Sequence, residues 1–420
     1  MEQARRLKAA CDSYIRRTLT ARQFVLADFC AYMEPLFENL GYREDRGKRI
    51  LVIRLDDVTD VVLTTGFWRE LKAIYPDHKI TAVVSPLTHP LMELCPYVDE
   101  VLEFAASPGT ALQNVLEAAV LFCHRFLWRH RFSLCLLPRW DADESFALLL
   151  GYLSGARERI GYSEGVYPGK AARNPGYDAL LTRPIMNPPQ MVHEVERNFY
   201  LLQSLGYEVQ DDSLEMWYDD QDKLTAHQLL RNFGQTQPLI VVGLGAKFAR
   251  RRYPVAKYVA ALKHIATAGA RFVLLGGNDV TLEGRYFVGN MPRGSVINLI
   301  GQAYLRVMTA ILAEASLYIG NDNGIAHMAA ASQVPVIMVS CEAWEKTDNI
   351  GVYSRAERFF PWGVPTIMLR PKRALEPCRH TPFEGGCCTA MPHCITKVEP
   401  GEIVAAYNEM VDYLRGGRGA

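Results

Sequence analysis

The chain has 420 residues, 49% hydrophobic and 22% charged, an ordinary globular composition at a length that favours two domains over one core. Lys+Arg and Asp+Glu balance at 46 each, which gives no support for bulk nucleic-acid binding. No apolar run is long enough to span a bilayer, and the charged start MEQARRLKAACDSYIRR lacks the compact apolar segment of a secretory leader.

Ten cysteines are then expected as reduced thiols in a cytoplasmic protein, not as a disulfide framework. Residues 1–47 read as a helical extension. Leu7, Cys11, Tyr14 and Ile15, then Phe24, Val25, Phe29, Met33 and Phe37, recur at roughly helical spacing, and Gly41 is placed to stop the second helix.

From residue 49 the pattern changes. RILVIRL is a continuous apolar strand, 61–75 reads as a helix, KITAVVS as a strand, HPLMELCP as a short helix and VDEVLEF as a third strand. Short apolar runs alternating with helices mark a parallel, doubly wound sheet. The series continues through FSLCLLP (132–138), a helix near 142–155 and RIGYS (159–163). Residues 164–190, rich in Gly, Pro and Asn, suit an irregular crossing, and 192–206 reads as a helix.

The rhythm restarts at PLIVVGLGAK (238–247). Helix 255–268, strand RFVLLGG (271–277), VINLIG, helix 304–315, LYIGNDNG (317–324), helix 325–332 and strand VPVIMVS (334–340) follow. This order predicts two Rossmann-like halves, over 48–210 and 225–400, with a C-terminal helix and tail at 401–420. Ligands of such folds bind at the carboxyl ends of the strands, here expected in a cleft between the halves.

Three stretches carry chemistry. IRLDDVTDVVLTTGF (53–67) sets Asp56, Asp57 and Asp60 directly after the first strand. Three acids are a poor phosphate cradle. They can bond loop N–H groups, and a solvated polar turn is the bland alternative. GLGAKFARRRYP (243–254) offers Gly243 and Gly245, then Lys247, Arg250, Arg251 and Arg252, with Pro254 placed to open a helix. Pliable backbone plus cations suits a diphosphate. The stretch is neither a full G-x-G-x-x-G fingerprint nor a Walker A loop, and a basic turn is the alternative. GNDNGIAHMAAA (320–331) runs from a strand through Asn321, Asp322, Asn323 and Gly324 into a helix holding His327. Asn and Asp cap free N–H groups, glycine admits a ligand, and a helix start attracts anions. A simply capped helix is the alternative.

These three stretches resemble signature blocks of glycosyltransferase family 9, the ADP-heptose:lipopolysaccharide heptosyltransferases. VDEVLEF, ERIGYS, HEVERNFYLLQSLGY and LIGQAYLRVMTAILAEASLYIGND fit the same family in order and spacing. The resemblance implies a GT-B fold, with the acceptor in the N-terminal domain and the donor in the C-terminal one. It also implies inverting, metal-independent transfer of heptose from ADP-heptose to a lipopolysaccharide-core or similar glycan acceptor. Asp60 matches the family's general base, with Thr59 where glycine is usual. Donor contacts are implied at Gly245, Ala246, Lys247, Arg251, Ala303, Asp322, Asn323, Gly324 and His327. Arg251 takes the phosphate-contacting place in the run before Tyr253 and Pro254, and Lys247 stands where a small hydroxyl residue is common. The ribose contact is expected at Asp279, with Glu283 as rival. A different nucleotide sugar, a protein acceptor, or a non-catalytic nucleotide-binding assembly protein are the other readings of the same motifs.

Two further stretches stand apart. CRHTPFEGGCCTAMPHC holds Cys378, Cys387, Cys388 and Cys394 with His380 and His393 interleaved. Its spacing is not that of paired C-x₂₋₄-C ligands, so a structural zinc or iron knuckle and a loop of reduced thiols both stay open. CHRFLWRHRF (123–132) is basic and aromatic on an expected helix. It suits anionic head groups or an acidic acceptor, so peripheral contact with the cytoplasmic face of the inner membrane is an expectation beside a plain solvated helix face.

Overall fold

The apolar runs become two parallel six-stranded sheets in a computed structural model. It describes residues 2–20, 26–42, 47–105, 111–186, 188–231, 233, 238–345, 355–380 and 388–416. Met1–Asp212 and Ser213–Ala420 form separate units. The first holds β1 (Arg49–Arg54), β2 (Lys79–Val84), β3 (Glu100–Glu103), β4 (Leu134–Leu137), β5 (Glu158–Tyr162) and β6 (Arg183–Ile185). The second holds β7 (Leu239–Gly243), β8 (Arg271–Leu275), β9 (Val296–Asn298), β10 (Leu317–Asn321), β11 (Val336–Val339) and β12 (Thr366–Leu369).

The orders are β3-β2-β1-β4-β5-β6 and β12-β11-β10-β7-β8-β9. Counted from its own first strand, each sheet therefore runs 3-2-1-4-5-6, the doubly wound order. Winding reverses between β1 and β4 in one unit and between β7 and β10 in the other, and the registers Ile50↔Leu134 and Ile319↔Val242 fix those pairs. Strands covered by helices on both faces need apolar side chains throughout. Ile50, Leu51, Val52 and Ile53 of β1, and Ile240, Val241 and Val242 of β7, are accordingly buried.

The helical extension is α1 (Glu2–Thr20) and α2 (Leu26–Asn39). Leu7, Cys11 and Ile15 join Phe29, Met33 and Phe37 in one core cluster with Leu116, Ala119, Cys123 and Leu150. The extension is thus part of the first unit's core. Each buried phenylalanine there contributes about 2 kcal/mol, and the Tyr152 hydroxyl donates to the Cys30 carbonyl at 3.0 Å. Gly41, at φ +68°, turns the chain after α2.

The expected helix at 61–75 is two helices, α3 (Val58–Val62) and α4 (Thr65–Ile74). Thr64 Oγ1 donates to the Asp60 carbonyl at 2.7 Å and Thr65 Oγ1 to the Val62 carbonyl at 2.9 Å. Side-chain donors at these carbonyls compete with the helix ladder and break it. Asp60 therefore lies in the first turn of α3 instead of in a loop.

In the basic aromatic stretch, helix Leu112–Phe122 runs on into a π-turn, Cys123–Leu127. Phe122, Leu127, Trp128 and Phe132 are buried while Arg125 and Arg129 are exposed. No helix among the described residues is long and apolar enough to cross a membrane.

Candidate active site

At the β1/β4 switch point of the first unit, the last residue of β1 is a charge. Arg54 is only 1% exposed, and a buried guanidinium must be met by counter-charges. Its Nη1 lies 3.2 Å from Asp56 Oδ2 and donates to the Pro138 carbonyl in the loop after β4. Its Nη2 lies 3.6 Å from Asp60 Oδ1 and 3.9 Å from Glu194 Oε1, and it donates to the Asp60 carbonyl at 3.4 Å. Asp56 is also ion-paired with Arg139. Asp56 thus balances two arginines rather than merely bonding loop N–H groups. Asp57 takes the N-cap position of α3.

Glu194 opens helix Glu194–Gln203, which carries a capping box. His193 Nδ1 accepts from the Val195 N–H at 3.1 Å, and Glu196 accepts from the His193 N–H at 2.9 Å. Arg197 Nη1 lies 3.3 Å from Glu194 Oε2, and its guanidinium sits 3.7 Å over the Trp140 ring. Trp140 stacks on Tyr167 at 4.6 Å. Lys170 Nζ donates to the Tyr162 and Trp140 carbonyls at 2.8 and 3.1 Å, and burial brings its pKa down to about 8. The loop after β4 is thereby pinned under the site.

Among the carboxylates around Arg54, Asp60 is the accessible one. Its side chain is 20% exposed, against 5% for Asp56 and 2% for Glu194. Burial, then repulsion from Asp56, push its pKa up to about 6 against the pull of Arg54 and Arg139, and Glu194 adds to the rise. Such a group is ionised at neutral pH yet basic enough to take a proton.

In the second unit the corresponding strands end at Gly243 and Asn321. A Cβ at Gly243 or at Gly320 would strike the Tyr318 hydroxyl, so glycine is required at both positions. That hydroxyl donates to Asn323 Oδ1 at 3.1 Å. Asn321 joins the two strand ends. Its Nδ2 donates to the Leu244 carbonyl at 2.6 Å, and its Oδ1 accepts from the Tyr253 N–H at 3.0 Å and the Tyr258 hydroxyl at 2.9 Å. Asn323 caps helix Gly324–Ala331 through the Ala326 N–H at 3.0 Å and donates to the Gly245 carbonyl at 2.7 Å.

Arg251, buried, pairs with Asp322 at 2.8 Å and donates to the Asp322 carbonyl at 2.7 Å. His327 Nε2 stands 3.8 Å from the other Asp322 oxygen. Gly245, Arg251, Asp322, Asn323, Gly324 and His327 are thus brought together. Arg252 bonds the Ala246 carbonyl at 3.0 Å and pairs with Asp279, which makes a second group of the expected donor residues. Lys247 is exposed, its Nζ 5.7 Å over Phe248. Ala303 is buried in the turn before helix Leu305–Ala313, and Glu283 lies in the first turn of helix Thr281–Asn290.

Motif reading missed Arg54, Arg139, Glu194 and Arg197. One signal was available: an arginine closing an otherwise apolar buried strand demands acidic partners.

The cysteine stretch forms a cluster of its own. Cys378 and Cys394 are buried, and their sulfurs each lie 3.5 Å from His393 Nδ1. Cys388 Sγ is 3.2 Å from Cys378 Sγ. Ligand atoms of Cys378, His393 and Cys394 fall within 4.8 Å of one another, and thiolate with imidazole is a donor set that suits zinc or iron. Cys387 lies outside the described residues.

Residues 148–343 match the family described as glycosyltransferase family 9 (heptosyltransferase). Lipopolysaccharide heptosyltransferase 2 of Salmonella typhimurium is 23% identical over 327 residues, 69% of this chain and 81% of that protein. The glycosyl transferase family 9 structure from Veillonella parvula superposes with a TM-score of 0.68 at 18% identity, covering 86% of this chain and 96% of its own. ADP-heptose lps heptosyltransferase II of E. coli does so with a TM-score of 0.65 at 18% identity, covering 87% and 99%. These likenesses bear out the two-domain α/β, GT-B fold expected of the motifs. With two doubly wound sheets and the motif residues gathered at their switch points, the chain resembles glycosyltransferase family 9, the heptosyltransferase family, whose match covers residues 148–343, and these likenesses mark it as a glycosyltransferase.

Proposed function

We propose that the protein transfers heptose from ADP-heptose to a lipopolysaccharide-core or similar glycan acceptor, with inversion and with Asp60 as general base. The observation that carries this reading is the contrast among the acids of the first switch point. Asp60 alone combines a partly exposed side chain, at 20%, with a pKa raised to about 6. As an acceptor hydroxyl attacks the anomeric carbon, its O–H proton passes to the Asp60 carboxylate. The new C–O bond forms as the bond from the anomeric carbon to the diphosphate oxygen breaks, and ADP departs. Arg251 and the start of helix Gly324–Ala331 hold the diphosphate, with Lys247 and Arg252 adding positive charge. No step is routed through a metal.

A glycolipid acceptor would bring the protein to the cytoplasmic face of the inner membrane, where the exposed Arg125 would face acidic groups. The cluster of Cys378, Cys388, His393 and Cys394 is proposed as a structural zinc or iron site, apart from the chemistry. The test of the main reading is incubation with ADP-heptose and heptose-deficient lipopolysaccharide core, with UDP- and GDP-sugars alongside. The acceptor should gain the mass of one heptose from ADP-heptose alone. ADP binding without transfer from any donor would favour an assembly protein, and transfer from another donor would move the substrate.

A further inference from the structure

We infer that Glu194 is a positioning residue for Asp60, holding Arg54 part-way off the Asp60 carboxylate so that this carboxylate stays basic enough to accept a proton. The inference rests on Asp60 being the base, and it concerns a side chain on a separate helix that does not itself meet substrate.

Arg54 is one guanidinium facing three carboxylates. Its Nη1 is committed to Asp56 at 3.2 Å and to the Pro138 carbonyl. Its Nη2 donates to the Asp60 carbonyl at 3.4 Å and lies between Asp60 Oδ1 at 3.6 Å and Glu194 Oε1 at 3.9 Å. Both carboxylate separations exceed the 2.7–2.9 Å typical of a charge-assisted N–H···O bond, so Nη2 is shared and neither carboxylate captures it. A full Arg54–Asp60 pair would make Asp60 a weak base, because an opposite charge at hydrogen-bond distance favours the ionised carboxylate.

Glu194 prevents that capture, and its own position is over-determined. Arg197 holds its second oxygen at 3.3 Å. Arg197 in turn rests on the Trp140 ring and donates to the Met191 carbonyl at 3.1 Å. The charged groups around the pair come from four elements: Arg54 from β1, Asp56 and Asp60 from the β1–α3 segment, Arg139 from the loop after β4, and Glu194 with Arg197 from helix Glu194–Gln203. Tyr162 of β5 feels the Glu194 charge, Lys170 donates to the Arg139 carbonyl at 3.4 Å, and Asp141 and Asp143 act on Arg139 from the same loop. When Asp60 takes the acceptor's proton and becomes neutral, Glu194 remains as the anion that keeps Arg54 compensated. The network therefore need not reorganise during transfer.

A buried ion pair can also serve packing alone. The two roles separate in a titration. In full-length protein labelled at the aspartate carboxyl carbons, the Asp60 signal is identified by its loss in Asp60→Asn, and its midpoint is followed against pH. Glu194→Gln removes the competing charge, so Arg54 closes on Asp60 and the midpoint falls by about half a unit to one unit, roughly a three- to ten-fold loss of proton affinity. Glu194→Asp keeps the charge but shortens its reach, and it gives a smaller fall in the same direction. It also serves in place of the Gln variant if that protein does not fold. Arg54→Met moves the midpoint upward. An Asp60 midpoint unchanged in a folded Glu194 variant overturns the inference. Since the titration needs no substrate, its failure is separate from that of the base assignment, which Asp60→Asn tests by turnover.

Discussion

Arg251 and Asp322 bind each other in a nearly dry setting, each side chain 7% exposed. Removing one leaves the other as an uncompensated buried charge, a loss of about 3 kcal/mol in comparable pairs. Arg251→Ala should therefore lower the melting temperature and, if Arg251 holds the diphosphate as proposed, also weaken ADP binding about ten-fold. Calorimetric titration with ADP beside a thermal melt reads both effects, and unchanged ADP affinity would remove Arg251 from the phosphate site. At this scale the sequence displayed the motif residues but not their partners. Asp60, Arg251 and Asp322 stand in recognisable strand-to-helix turns, whereas Glu194 reaches Arg54 across a sequence separation that no local pattern encodes. The Asp56 pairing with Arg54 and Arg139 was hidden for the same reason.

Elements follow the strength of their local signal. The inner strands β1, β4, β7, β10 and β11 were readable because burial on both faces demands unbroken apolar runs. The edge strands β6 and β12, three and four residues long, left no comparable trace, whereas the edge strand β3 was legible in VDEVLEF. So few residues give periodicity little to register, and β6 (Arg183–Ile185) also carries mixed side chains. The break between α3 and α4 turned on two threonine hydroxyls that hydrophobic periodicity does not register.

The cysteine cluster also acts at this scale. Cys394 begins the short turn Cys394–Lys397, where Lys257 donates to the Thr396 carbonyl at 2.8 Å, and just beyond it Tyr253 donates to the Val398 carbonyl at 2.8 Å. A metal on Cys378, Cys388, His393 and Cys394 would clamp this turn to the loop after β12. Purified protein should then carry about one zinc or iron per chain by elemental analysis, and its removal by chelation or by Cys378→Ser should lower the melting temperature by several degrees. Metal-free protein that melts unchanged with chelator would leave the cluster as reduced thiols.

For the molecule as a whole, the sequence announced the repeated rhythm of two halves, and both sheets share the 3-2-1-4-5-6 order. Composition allowed two domains, and alternation of strand and helix made them parallel and doubly wound. The division of charge between the two switch points has the clearest functional consequence. Three acids around Arg54 mark the first, and Arg251 paired with Asp322 beside a capped helix start marks the second. In the proposed transfer, the first would serve the acceptor hydroxyl and the second the departing diphosphate. The most direct test is heptose transfer from ADP-heptose by Asp60→Asn, measured together with ADP affinity. Turnover should fall by at least about 10²-fold while ADP binds as before. Near-normal turnover in that variant would contradict the account.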